Sequence, residues 1–155
     1  MDYLGRAFSI QDLRGAPFAV TFTYTRCPVP TYCPAQDRRF GELQRAIRER
    51  PELARSRLVS ISIDPEYDRP EVLARHAETL EADPAIWRLA TGERAAILAF
   101  AASLALSVVV EEAGSADVVH SVRTAVVDSA GRLIRRYDGT GWQVSDVVRD
   151  LARAQ

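Results

Sequence analysis

The chain contains two cysteines, Cys27 and Cys33, and both lie in the stretch Thr25–Pro34, "TRCPVPTYCP". Two thiols separated by five residues in a loop stiffened by Pro28 and Pro30 can close a disulfide, cycle as a redox pair, or ligate a soft metal. Cys33 directly precedes Pro34, a residue suited to the first turn of a helix because its missing N–H would be unpaired there anyway. A thiol at that position meets exposed backbone N–H groups and the positive end of the helix dipole, which favour the thiolate. Arg26, next to Cys27, is expected to act in the same sense if its side chain folds back. Two sulfurs do not complete a specific metal site, so a third ligand has to come from elsewhere. The chain has two histidines. His76 falls in line with Val72 and Leu80 at helical spacing and reads as a residue at the edge of an apolar face. His120 lies in a turn-like stretch just before a strand, a position open to ligation. Asp64, in "SIDPEYDRP", reads as a loop cap or an additional oxygen ligand, and Tyr32 as a shield or partner contact beside Cys33.

The elements that must position these residues follow from periodicity. Phe18, Val20, Phe22 and Tyr24 alternate with Ala19, Thr21 and Thr23, which predicts a strand running into the cysteine loop. Phe40, Leu43 and Ile47 recur at helical spacing after Pro34, with Asp37, Arg38, Arg39, Glu42, Arg45 and Arg48 expected to face outward until Pro51 ends the helix. A second strand is predicted over Leu58–Ile63 and a helix from Pro70 to Leu80. A short extended piece follows at Trp87–Thr91, then an alanine-rich helix over Glu93–Leu104 and a strand over Leu106–Glu111. Arg123–Asp128 and Arg132–Tyr137 flank "SAG", a hairpin signal whose glycine is expected at positive φ, and Val144–Ala154 closes the chain as a helix. Early strands separated by helices predict parallel pairing, and the hairpin adds an antiparallel edge. The fold class is therefore α/β: a central mixed sheet flanked by helices on both faces, in one domain over residues 1–155. In such open sheets, sites collect at the carboxyl ends of strands, where the cysteine loop begins.

Composition narrows the chemistry further. A net charge of −1 supplies no basic field for nucleic acid, and all 20 cationic residues are arginine. No run of about 18 apolar residues is present to span a membrane. No leader stands at the amino end, so an extracytoplasmic role predicts an anchor that this chain does not contain. No phosphate loop, carboxylate dyad or Ser-His-Asp order stands out, and the Pro-x-x-x-Thr-x-x-Cys setting of peroxidase-type cysteines is absent.

The segments "FTYTRCPVPTYCP", "VSISIDPEYDRPEVLARHAETLEADPAIWRLATG" and "VVHSVRTAVVDSAGRLIRRYDG" resemble the Sco/SenC family of thioredoxin-fold copper proteins, over nearly the whole chain. The resemblance implies a thioredoxin-like fold and a copper site, Cu(I) or Cu(II), made by Cys27, Cys33 and His120; His76 matches no ligand position. It also implies a role in assembling the dinuclear copper centre of cytochrome c oxidase, as a copper chaperone or a thiol reductant. The expected partner is oxidase subunit II or another copper or thiol protein. The expected location is extracytoplasmic, at the periplasmic or outer face of the membrane. A metal-independent thiol–disulfide oxidoreductase using Cys27 and Cys33 is the alternative, and a copper sensor a third reading. The chain departs from the family at the loop, where five residues separate the cysteines instead of the usual three. It is also short at its amino end, which predicts the loss of an edge strand.

Overall fold

The computed structural model describes residues 1–104 and 123–155. The strand expected over Leu106–Glu111 and the candidate ligand His120 lie outside the described residues. The elements are β1 (Phe18–Thr23), α1 (Cys33–Glu49), β2 (Arg57–Ser62), α2 (Pro70–Thr79), β3 (Trp87–Ala90), α3 (Arg94–Ser103), β4 (Arg123–Val127), β5 (Leu133–Asp138) and α4 (Val144–Arg153). Short 3₁₀ turns at Ile10–Leu13 and Pro51–Leu53 precede β1 and β2.

The strands form one sheet in the order β3-β2-β1-β4-β5. β1 pairs with β2 in parallel, Thr23 opposite Ser62, and with β4 antiparallel, Phe18 opposite Val127. This is the expected mixed sheet, and its centre is the strand that feeds the cysteine loop. All six residues of β1 are buried. The alternation in its sequence separates two covered faces rather than a core face and a wet one, as happens for a central strand in a layered α/β fold. Phe18, Val20 and Phe22 pack with Ile97 and Ala101 of α3. Ala19 faces the opposite layer, where Phe40, Leu43 and Ile47 of α1 meet Leu73 and Ala77 of α2 and Val147 and Leu151 of α4. Helices therefore cover both faces.

Local chemistry explains where elements start and stop. Pro34 and Pro70 occupy the first turns of α1 and α2, where no N–H is needed. The β4–β5 turn closes on Gly131 at φ +85°, while the Asp128 carboxylate accepts hydrogen bonds from the Ala130 and Arg132 amides at 2.9 and 2.8 Å. A positive φ of that size suits glycine, which has no Cβ to clash. In the α1 layer Phe40 is fully buried and sits 5.8 Å, ring to ring, from Trp87, whose indole N–H donates to Ser60 Oγ at 3.0 Å.

One outward-facing expectation fails. Asp37 is buried, because its carboxylate lies 3.0 Å from Nε2 of His76 on the neighbouring helix. Hydrogen bonding to Asp37 raises the His76 pKa above its ordinary 6.5, against the opposing effect of burial. His76 thus ties α2 to α1, a more specific task than an apolar-edge residue.

Candidate metal centre

The loop from Tyr24 to Tyr32 leaves the carboxyl end of β1, flanked by β2 and β4, and delivers Cys33 as the first residue of α1. Cys33 is 2% exposed and packs with Phe22, Tyr24, Ile61 and Ile63; Cys27 is half-buried against the same cluster. The sulfurs are thiols rather than a disulfide, and the two side chains are close enough for Cys27 to hydrogen-bond with Cys33. Cys27 Sγ also lies 3.8 Å from the carbonyl of Val29, and the Cys27 amide donates to the Tyr24 carbonyl at 3.4 Å. A tie from Thr140 Oγ1 to the Thr31 carbonyl at 2.9 Å holds the far side of the loop to the segment before α4.

Burial dominates the electrostatics. Desolvation pushes the Cys33 thiol up to about 12, the Thr23 side chain and the Tyr24 amide, placed to donate to the thiolate, pull the other way, and the neighbouring Cys27 adds to the rise. Desolvation also raises the Tyr24 hydroxyl, reinforced by the charge of Cys27 and a hydrogen bond to it. The helix-end position therefore does not make Cys33 a resting thiolate: withdrawal from water outweighs the dipole. Thr23 Oγ1 is buried and has no hydrogen-bond partner among the described residues, although it stands beside Cys33 as the donor its thiolate would receive. An unused donor next to two adjacent sulfurs fits a soft cation bound by thiolates, because such a cation displaces the thiol proton.

Arg26 pairs with the loop after β2. Its guanidinium is 2.5 Å from Asp64 and lies over the Tyr67 ring at 4.2 Å. Asp64 is thereby engaged as the arginine's partner, and Tyr32 is 48% exposed at the loop's outer side. Among the described residues no group of three or more His, Cys, Asp or Glu side chains is arranged to hold a metal. The structure brings Cys27 and Cys33 together and keeps His76 with Asp37.

Sequence reasoning missed Asp68. This carboxylate is fully buried and accepts from the Thr25 amide at 3.0 Å, from the Thr25 hydroxyl and from Ser62 Oγ at 2.6 Å. The available signal was an acidic residue at the end of "DPEYD", following an apolar strand whose last residue is a serine.

A model of the SCO1/SenC family matches residues 1–155. The chain belongs to the SCO1/SenC family. Among solved structures, a SCO1/SenC family lipoprotein from Bacillus anthracis superposes with a TM-score of 0.86 at 25% identity, over 99% of this chain and 90% of that one. BsSco, described with a disulfide switch as a member of the Sco family of cytochrome c oxidase assembly proteins, gives 0.83 at 24%, over 99% and 88%. Copper-bound ScoI of Bradyrhizobium japonicum gives 0.79 at 24%, over 100% and 95%. The architecture is accordingly the thioredoxin-like α/β fold of this SCO1/SenC chain's structural neighbours.

Proposed function

We propose that residues 1–155 form one copper-binding thioredoxin-like domain that carries a single copper ion on the sulfurs of Cys27 and Cys33, with His120 as the third ligand. The observation that carries this reading is the juxtaposition of two thiols at the end of the central strand, one of them buried beside an unpartnered hydroxyl donor. Two thiolates suit Cu(I), and an imidazole adds the harder donor that Cu(II) prefers. The copper-bound structural neighbour supports the choice of metal. The description of BsSco as a cytochrome c oxidase assembly protein supports the destination, the dinuclear copper centre of oxidase subunit II. At that destination the domain delivers copper or reduces the receiving thiols. The lipoprotein neighbour supports an extracytoplasmic, membrane-anchored location, and no described helix is long and apolar enough to cross a membrane.

The test is anaerobic Cu(I) loading of reduced and oxidised protein, with copper and accessible thiols counted in each. Reduced protein should hold one copper, which shields both thiols from alkylation, and the disulfide form should hold none. Tight copper on protein with no reduced thiols sinks the assignment of the cysteines. His120→Ala should weaken Cu(II) more than Cu(I), and equal loss or no loss removes His120 from the ligand set. The second reading, a thiol–disulfide oxidoreductase without a metal, draws on the same adjacency of Cys27 and Cys33. It is favoured if the reduced protein takes up no copper yet exchanges disulfides with a partner.

A further inference from the structure

We propose that Asp68 is the positioning residue of the cysteine pair: by gripping Thr25 it fixes the start of the loop so that Cys27 is held against Cys33 before any metal arrives. The inference rests on the reading of Cys27 and Cys33 as the working pair. β1 and β2 end side by side, Thr23 opposite Ser62, and beyond them the chain splays into the cysteine loop on one side and the loop 64–69 on the other. Asp68 bridges that divergence with no exposure to solvent. One carboxylate oxygen takes the Thr25 hydroxyl; the other takes the Thr25 amide and Ser62 Oγ. Ser62 Oγ in turn accepts from the Asp64 amide at 3.1 Å, so the node also closes the second loop.

The grip matters because of what else holds the start of the cysteine loop. Within Tyr24–Cys27 the Cys27 amide donates to the Tyr24 carbonyl at a long 3.4 Å. On the outer side, Arg26 reaches across to Asp64, but that pair is surface-exposed on the arginine side and worth little by itself. A buried carboxylate receiving an amide and a hydroxyl from one residue restrains both its backbone and its side chain. Pro28 and Pro30 then transmit that restraint past Cys27, since each has one backbone dihedral fixed by its ring. A loop with five residues between its cysteines has more ways to separate them than a tighter one. A buried anchor two residues before the first cysteine offsets that freedom.

The experiment separates positioning from general stability. The variants are Thr25→Val, which removes the hydroxyl that Asp68 binds; Thr25→Ser, which keeps it; and Val147→Ala, which loosens the core layer beneath α4 without touching the Asp68 node. Each is equilibrated with glutathione, in which Cys27 and Cys33 lose two electrons and two protons to glutathione disulfide, giving one protein disulfide and two reduced glutathiones. The protein dithiol–disulfide constant, the Cu(I) affinity against a chromophoric chelator and the melting temperature are measured. The expected result for Thr25→Val is about a tenfold fall in the disulfide constant and in Cu(I) affinity, the size set by one hydrogen bond to a charged group. Thr25→Ser should restore both, and Val147→Ala should lower the melting temperature while leaving both within about twofold. Asp68→Asn provides a second approach, since its amide presents N–H groups where the site supplies donors, and should behave like Thr25→Val. If the two constants track melting temperature equally across all variants, or do not move in Thr25→Val, Asp68 is structural only and the proposal is overturned. A wild-type protein that binds no Cu(I) overturns the copper reading instead, and the disulfide constant still decides the role of Asp68.

Discussion

The contrast between the two thiols predicts a strong asymmetry in alkylation. Cys33 is 2% exposed and burial lifts its pKa from 9.0 to about 12, whereas Cys27 is half-buried. At pH 8 that rise lowers the Cys33 thiolate fraction about a thousandfold relative to an ordinary thiol, tenfold for each pH unit. A more basic thiolate is intrinsically more nucleophilic, and a Brønsted coefficient of about 0.4–0.5 returns roughly fifteen- to thirtyfold of that loss. The net is about thirty- to sixtyfold slower reaction at Cys33, before steric access is counted. The assay is a time course with iodoacetamide on the reduced, metal-free protein, with the modified peptides quantified by mass spectrometry. Cys27 should be labelled first, and Cys33 should follow at the reduced rate or on local opening of the loop. In denaturant, where burial is gone, the two rates should converge. Equal labelling of both cysteines in the folded protein, or labelling of Cys33 first, refutes the argument that desolvation outweighs the helix end.

Three other perturbations test the core and the site. His76 is raised above 6.5 by Asp37, so its contribution to stability is complete below that value and lost as pH climbs through the folded pKa; His76→Gln should lie below wild type in urea midpoint at pH 5.5, with the gap closing toward pH 8–9, and a constant gap disproves the coupling. Phe40→Ala empties a fully buried site against Trp87 and should cost about 3–5 kcal/mol in equilibrium unfolding; a loss below about 1 kcal/mol would mean that this layer is not close-packed. Thr23→Val removes the donor beside Cys33 and should weaken Cu(I) binding about tenfold in chelator competition while leaving the melting temperature equal or higher, and unchanged affinity shows that the hydroxyl does not serve the thiolate.

Much of this fold was legible in the chain because its signals are local. The alternation from Phe18 to Tyr24, the prolines at 34 and 70 and the glycine of the hairpin each act within a few residues, and β1, α1, α2 and the β4–β5 turn stand where those signals predict. The juxtaposition of Cys27 and Cys33 was legible for the same reason, since one short loop contains both. What escaped was polar and distant in sequence. Asp37 looked like a solvent-facing residue until His76, 39 positions away, claimed its carboxylate. Asp68 looked like one more charge in a loop, because Thr25 lies 43 positions before it and only the pairing of β1 with β2 brings them together. Apolar periodicity shows which face of an element is covered. It carries no information about which buried carboxylate meets which hydroxyl.

The electrostatics of the pair also constrain how copper and redox chemistry would share the proposed site. Two bare thiolates would put two negative charges against Phe22, Ile61 and Ile63, which burial forbids, and the raised Cys33 thiol reflects that cost. The dithiol and the disulfide are both neutral, so the apolar surround favours each over the dithiolate. Cu(I) on two thiolates is an intermediate case, carrying one net negative charge spread over the metal and two sulfurs. The Tyr24 amide and the Thr23 hydroxyl, both donors near Cys33, oppose the remaining cost. The amide is fixed by the backbone. The hydroxyl has no hydrogen-bond partner among the described residues and is placed to donate to a thiolate. Copper at the proposed site would therefore have to compete with a tightly held proton, which favours a soft cation: a harder cation gains less from sulfur yet meets the same proton.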